Sequence, residues 1–356
     1  MTHLTKLKKL VILLSLSFLL PAASCRKTDQ SLLENNITCY ASTYSNGVYL
    51  SENGGISWYP LIPEQDDICL YYKRLFLSPD AAKLYVATTG GGLFFFDMKK
   101  GVLNSVDELK DEDISSVAFR KVSTGQGNDF EILVGKKETG VSRALEGKDN
   151  WEHLNNGLTY RDVNVLFMNA GVLFAGTING IFRWDDASNM WMDTSEGINN
   201  KNIIAMGSDH EGGNIYAGAG AYQYIKGMFQ SVPSLYKSTD NGKTWERADK
   251  GLPDDALIFS IAVNPLKPER IYLGTSEGLY RSIDGGGKWS KTDYGLPDEL
   301  RVLDIGITRI SDDKDLVYAA GVNGIFMAQD DEDPEWTSRS YGLGKTFISS
   351  LLLQNN

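Results

Sequence analysis

Residues 237–245, KSTDNGKTW, offer three chemistries in one short segment. Asn241, Gly242, Lys243 and Thr244 look like the end of a phosphate-cradling loop. Ser238 beside Lys237 pairs a nucleophile with a base. Ser238, Asp240 and Asn241 supply oxygens for a hard cation. Each reading fails on its surroundings. A phosphate loop needs an upstream Gly and a following helix, yet residues 235–241 contain no Gly. A nucleophile and its base must converge in a pocket, and a cation needs more ligands than one turn provides. After the first 24 residues the only histidines are His153 and His210. That disfavours a His-based triad or a His-rich metal centre. No metal and no cofactor is expected.

The segment belongs to a repeat. An apolar strand followed by Gly, an apolar residue and usually an aromatic is clearest in RIYLGTSEGLY, residues 270–280. Seven copies start at Gly47, Gly92, Gly140, Gly180, Ser234, Gly278 and Gly324, which are 40 to 54 residues apart. Trp58, Trp151, Trp191, Trp245 and Trp289 each stand 11 residues after a start, Trp336 stands 12 after, and Leu103 takes the place in the second copy. Only Trp184 falls off this ruler. Within residues 278–284, Leu279, Arg281 and Ile283 point one way and Tyr280 and Ser282 the other, the period of a strand. For the sixth unit the strands are expected near 258–265, 270–275, 278–283 and 288–293. Four strands in 40 to 50 residues make a propeller blade. The first unit starts at its second strand, near 37–42, and one strand is left over at 346–353. The expected fold is therefore all-β: a single seven-bladed β-propeller over 36–356, with four-stranded antiparallel blades and the C-terminal strand closing the first.

KSTDNGKTW then falls at the turn between the third and fourth strands of a blade. Ser51, Asn53, Gly55 and Trp58 share its pattern, Ser-x-(Asp/Asn)-x-Gly-x-x-Trp, with Ser238, Asp240, Gly242 and Trp245, and with Ser282, Asp284, Gly286 and Trp289. An Asp or Asn oxygen can close the turn on backbone N–H groups. Gly supplies positive φ, and Trp buries a large ring while satisfying its N–H. Asp186 with Trp191, Asp330 with Trp336 and Glu146 with Trp151 are partial copies; the second blade, at Met98, Lys100 and Leu103, has lost the box. The pattern resembles the Asp-box, or bacterial neuraminidase repeat, in three blades, and the blade layout extends the resemblance over nearly the whole mature chain. The resemblance implies an architectural turn, on the face away from a sialidase site.

Relatives with such repeats differ in function. Sialidases carry a Phe/Tyr-Arg-Ile-Pro motif, which residues 27–73 lack, having only Arg26 before and Arg74 after them. Xyloglucan-cleaving enzymes use two seven-bladed propellers, sortilin-type receptors ten blades and Cys-rich modules, and photosystem II assembly factors a single seven-bladed propeller with a basic patch. A glycosidase would need two suitably spaced carboxylates, and nothing in the sequence selects a pair. The expected function is binding of a protein, peptide or glycan without catalysis, on the face opposite the box turns. The alternatives are a glycan-active enzyme and an assembly factor for an envelope complex.

Candidate ligand residues follow from topology. The loop 219–234 replaces two or three residues of other blades and carries Tyr222, Tyr224 and Phe229. Loops between blades bring Tyr160, Arg161, Asp298 and Arg301 to the same face. Exposed aromatics on a loop suggest contact with a ligand; the same loop could equally be a lid packed on its own ring. The run Asp330, Asp331, Glu332 and Asp333 reads as a solvated hairpin in preference to a calcium site.

Net charge is −11, and −14 without the first 24 residues, so bulk charge repels nucleic acid and anionic lipid. Lys6, Lys8 and Lys9 precede an apolar run at 10–20 that is short for a bilayer span, the mark of a signal peptide over 1–24. Ala22, Ala23 and Ser24 before Cys25 resemble the lipobox of bacterial lipoproteins, although Ala22 replaces the usual Leu. That resemblance implies lipidation at Cys25, a tether at 26–35, and an envelope monomer that meets the membrane through its anchor alone. Plain cleavage after Ser24 would give a secreted or periplasmic protein. Cys39 and Cys69 are expected to be buried free thiols, with a disulfide as the alternative.

Overall fold

The repeat Ile-Tyr-Leu-Gly-Thr at Ile271–Thr275 is buried at every position. So is Gly278–Ser282, which pairs with it antiparallel. The alternation of the second of these strands therefore does not divide core from solvent. Leu279 packs in a cluster with Val302, Val317 and Trp336 of the next blade. Tyr280 packs with Tyr216 and Leu235 of the preceding one. Each blade is sandwiched between two neighbours, so both faces of its middle strands are apolar.

The computed structural model describes residues 36–62, 71–123, 128–209, 213–220, 222–225, 228–231, 233–344 and 347–355. They form seven four-stranded antiparallel sheets and one two-stranded hairpin. The innermost strands are, in ring order, Ile348–Asn355, Tyr71–Leu77, Ile114–Ser123, Val163–Asn169, Ile203–Ser208, Ile258–Val263 and Val302–Ser311, each touching the next and the last touching the first. The sixth blade is Ile258–Val263, Ile271–Thr275, Gly278–Ser282 and Ser290–Lys291, with outer strands shorter than the sequence suggests. Ring closure is as expected. Ile348–Asn355 pairs with Ile37–Thr43 and is the innermost strand of the first blade. Asp304 ties three blades at this joint: it accepts Ser260 Oγ of the sixth at 3.3 Å, and Ser350 Oγ and Leu351 N of the first at 2.9 Å each.

The box turns are clasps between blades. In the fifth blade Ser238 Oγ donates to Asp240 Oδ1 at 2.8 Å and accepts Gly242 N at 2.9 Å, while Asp240 accepts the N–H of Thr244 at 3.0 Å and its hydroxyl at 2.7 Å. Ser51 and Asn53, and Ser282 and Asp284, repeat this. The Trp then reaches the preceding blade. Trp58, Trp191, Trp245 and Trp289 donate Nε1 to the carbonyls of Arg339, Leu154, Thr194 and Ala248 at 2.6–2.9 Å. From the other side, the preceding blade sends a Tyr hydroxyl to the turn: Tyr216 to Gly285 O at 2.9 Å, Tyr272 to Asp330 at 2.8 Å and Tyr318 to Gly54 O at 3.1 Å. Burial pushes the phenol pKa values of Tyr216 and Tyr272 up, so both remain donors.

One further mark on the ruler went unread in the sequence. Six residues after Trp151, Trp191, Trp245, Trp289 and Trp336 stand Gly157, Gly197, Gly251, Gly295 and Gly342. All have φ between +79° and +98°, and a Cβ on any of them would lie 2.0–2.4 Å from the carbonyl oxygen of a box Trp in the following blade.

Degenerate boxes keep the clasp with other groups. In the second blade Asp97 closes the turn on Lys99 N and Lys100 N. The run at Asp330 is the expected solvated hairpin in all but its first residue. Asp331, Glu332 and Asp333 are exposed, but Asp330 is buried and receives Arg270, Tyr272 and Asn264 from the sixth blade. Among the described residues no group of acidic, His or Cys side chains could hold a metal. Cys39 is a buried free thiol whose pKa burial pushes up to about 12; Cys69 lies outside the described residues.

Hydrogen bonds from Thr244 and Ser238 hold the Asp240 carboxyl below the usual range, and bonds from Ser282 and Lys288 do the same for Asp284. An unfolded Asp titrates near ~3.9. The stabilisation these carboxylates give is therefore complete above about pH 4 and lost as pH falls through the lower folded values. A D240N/D284N variant keeps the acceptor, as Asn53 does in the first blade, but not the charge. It is expected to melt below wild type at about pH 6, and the gap is expected to narrow progressively as pH falls below about 4.

Candidate functional site

The face opposite the box turns is built from the second-to-third strand turns and the links between blades. In four blades a Thr locks that turn: Thr43, Thr88, Thr177 and Thr275 donate their hydroxyls to Gly47 O, Gly92 O, Gly180 O and Gly278 O at 2.7–3.1 Å. The fifth blade departs. Its turn holds an added hairpin, Tyr222–Ile225 paired with Met228–Ser231. Asn202 anchors the base, donating Nδ2 to Gly220 O at 2.7 Å and accepting Gly220 N on its carbonyl at 3.0 Å. Tyr222, Tyr224 and Phe229 thus lie on the hairpin; their side chains are outside the described residues.

Beneath these turns every innermost strand carries a β-bulge near its start, at the second residue in six blades and the third in the second blade. The extra residues are Ser349, Lys73, Ser115, Asn164, Ile204, Phe259 and Leu303, one per blade. A bulge leaves a residue unpaired and re-aims its side chain. Repeated seven times at one level, it rings the mouth of the central channel. The ring has two halves. Ser349 donates to Tyr72 O, Ser115 to Gly135 O and Asn164 to Ile203 O, and Lys73 pairs with Asp113 at 3.2 Å. Ile204, Phe259 and Leu303 in blades five to seven are half-buried and belong to none of the inter-blade clusters among the described residues.

Charges divide the same way. In blades two to four the signs are mixed: Lys136 pairs with Glu112 at 3.1 Å and Lys137 with Asp162 at 2.8 Å, and exposed Asp111 and Glu138 are accompanied by exposed Lys110 and Arg161. In blades five to seven Asp254, Asp255, Glu277, Asp298 and Glu299 are exposed and form no ion pair among the described residues. Their field reaches Tyr280, whose phenol pKa rises first through burial and then through Glu277, Asp293 and Asp255.

Tyr160, Arg161, Asp298 and Arg301 are all exposed on this face, but they do not form one site. The first two belong to the link between blades three and four, and the others to the link between six and seven, three blades away. Arg161 and Arg301 use their carbonyls to hold Gly140 N and Val322 N. Sequence reasoning missed an aromatic trio at the first joint: Tyr44 lies 4.9 Å from Tyr71 and 5.7 Å from Phe347, with all three exposed. It also missed the bulge ring. The trio's signal was present, since Tyr44 stands in a second-to-third strand turn. The bulge depends on pairing register and leaves no residue signature.

The box side holds grooves of about 380 Å³ and 440 Å³, at the seams between blades five and six and between six and seven. They recur where a turn docks on the preceding blade, so they follow from the ring geometry. Asp80, Asp97, Asp185, Asp240, Asp284 and Asp313, the carboxylates with displaced pKa values, are all on that side and all held low by turn hydrogen bonds. A general acid needs the opposite shift.

Two family models match: the BNR/Asp-box repeat at residues 236–247 and the Pep3/Vps18/deep orange beta-propeller domain at residues 59–205. No curated protein sequence matches significantly. Among solved structures, the chain is similar to the GH74 xyloglucanase from Xanthomonas campestris, with 16% identity and a TM-score of 0.62 over 86% of this chain and 53% of that one. It is similar to the extracellular domain of a hybrid two-component system from B. thetaiotaomicron, with 11% identity and a TM-score of 0.57 over 85% and 46%. It is also similar to YCF48 bound to D1 peptide, with 13% identity and a TM-score of 0.55 over 79% and 85%. The chain thus spans about half the length of the first two. No helix among the described residues is long and apolar enough to cross a membrane. Blade count, closure, box geometry and these likenesses agree: the chain is a seven-bladed β-propeller built on the BNR/Asp-box repeat.

Proposed function

We propose that this is an exported, non-catalytic propeller, lipid-anchored through Cys25, that binds a protein, peptide or glycan at the channel mouth opposite the box turns. The observation that carries the reading is the fifth blade. One turn on that face abandons the Thr-locked form for a hairpin, beside the half of the mouth where bulged residues are apolar and half-buried. Surface that the fold does not use for its own packing is where a ligand has room to bind. The similar YCF48 propeller with a bound peptide supports a peptide or protein partner. The likeness to a xyloglucanase supports the fold alone.

A glycan and peptide array probed with the mature protein tests this. Binding is expected for wild type and is expected to fall about tenfold or more when residues 222–231 are replaced by a short Gly-Ser turn, as for loss of a central contact patch. Binding untouched by that replacement would remove the hairpin from the site, and a blank array would overturn the reading. Hydrolysis of xyloglucan and of sialosides is expected to stay at the buffer rate; turnover above it would instead favour the glycosidase alternative.

A further inference from the structure

The two halves of the channel mouth call for different surroundings. In the polar half, Ser349, Ser115 and Asn164 have hydrogen-bond partners within the protein and Lys73 has Asp113. Those polar groups are thus engaged within the fold. In the other half Ile204, Phe259 and Leu303 come from three consecutive blades at the same bulged position and stay half-buried. They form an apolar crescent. Apolar side chains left partly exposed gain free energy when a partner covers them.

The chain around the crescent says what kind of partner. Asp254 and Asp255 lead into the strand that carries Phe259, and Asp298 and Glu299 lead into the strand that carries Leu303. Glu277 sits in the turn that binds the first of these links: Ser276 N donates to Leu257 O at 2.9 Å, and Leu257 N donates to Ser276 Oγ at 3.0 Å. Five exposed carboxylates thus border the crescent, and none has an ion-pair partner among the described residues. Arg301 is the one exposed cation in the link between blades six and seven. In blades two to four, by contrast, Asp113, Glu112 and Asp162 are paired with lysines, and the exposed Asp111 and Glu138 stand among the exposed cations Lys110 and Arg161. A glycan would want hydrogen-bonding side chains and stacking rings in this half, and an acidic segment would be repelled by its charge.

We infer that the apolar crescent of Ile204, Phe259 and Leu303, with its carboxylate border, receives a cationic peptide segment in which aliphatic or aromatic residues alternate with Lys or Arg. The apolar side chains enter the crescent and the cations meet the border. This rests on the proposed binding face and narrows it to one half and one class of partner.

Isothermal titration of the mature protein in detergent tests it with three capped peptides: one alternating lysine with leucine, a twin with glutamate for lysine, and a twin with serine for leucine. The lysine–leucine peptide is expected to bind at least about tenfold more tightly than either twin, and to weaken as salt rises from about 50 to 500 mM through screening of the carboxylate border. A D254N/D255N/D298N/E299Q variant alters only exposed side chains and is expected to lose about tenfold or more of that affinity. F259S/L303S is expected to lose a similar factor, checked for folding by its thermal melt. Equal binding of the glutamate twin, or lysine–leucine binding unmoved by the four neutralisations, overturns the cationic assignment and leaves the wider face reading standing. If none of the three binds, the inference fails. If the array is blank as well, the proposed function fails with it.

Discussion

Gly197→Ala is expected to lower the melting temperature by about 5–10 °C, a loss of about 3 kcal/mol. Two costs add. At φ +89° a Cβ brings roughly 1–2 kcal/mol of left-handed strain. The same Cβ would lie 2.0 Å from Trp245 O, a backbone atom that cannot swing aside. The chain must separate there, and overpacking of this kind costs about 1–3 kcal/mol. The separation also threatens the bond from Trp245 N to Glu196 O, now 3.0 Å, so the damage falls on the joint between blades four and five. Gly90→Ala is the control. Its φ is +71°, but nothing lies within 4 Å of the added Cβ. It should cost only the strain, about 1–2 kcal/mol. Differential scanning calorimetry of the two variants separates close approach from backbone strain. Equal losses would mean that the Gly six residues after each Trp serves φ alone.

Removal of residues 348–356 is expected to abolish the cooperative fold. That strand pairs with Ile37–Thr43 along its length and places Ile348 and Leu351 in the cluster that joins the first and seventh blades. Full burial of a large aliphatic side chain stabilises by about 1.5–3 kcal/mol, so these two alone represent about 3–6 kcal/mol. A whole domain has about 5–15 kcal/mol. The truncation also strips Asp304 of Ser350 Oγ and Leu351 N and bares the paired edge of Ile37–Thr43. Such an edge is a template for aggregation. Size-exclusion chromatography and near-UV circular dichroism should show aggregate and a lost tertiary signal. A soluble monomer with a sharp melt would show that ring closure is dispensable.

Much of this architecture was legible because one turn recurs at one spacing. Trp245 and Trp289 count residues from Ser234 and Gly278, and the same count fixes blades whose boxes have decayed. Strand ends were less legible. Lys288 to Asp293 reads as a full outer strand, yet only Ser290–Lys291 pairs, because Trp289 spends its backbone N–H on Lys250 O of the neighbouring blade. Asp330 was misread for a related reason. Four acidic residues in a row look solvated, and the Arg270 and Tyr272 that bury the first of them lie about sixty residues upstream. The candidate site was the least legible part. Tyr160, Arg161, Asp298 and Arg301 reached the expected face. Phe259 and Leu303, which line the mouth, read as ordinary strand residues until pairing register exposed the bulges.

The central claim is that the box face is architecture and the channel mouth is where a ligand binds. Site-specific photo-crosslinking addresses it directly, with p-benzoylphenylalanine placed in turn at Phe259 and Tyr71 on the mouth side and at Ile283 and Tyr59 on the box side, the latter pair 65% and 42% exposed. Irradiation of the full chain expressed in its native cells should give a discrete adduct from the mouth positions and none from the box positions. A discrete adduct from Ile283 or Tyr59, with the mouth positions silent, would contradict the account.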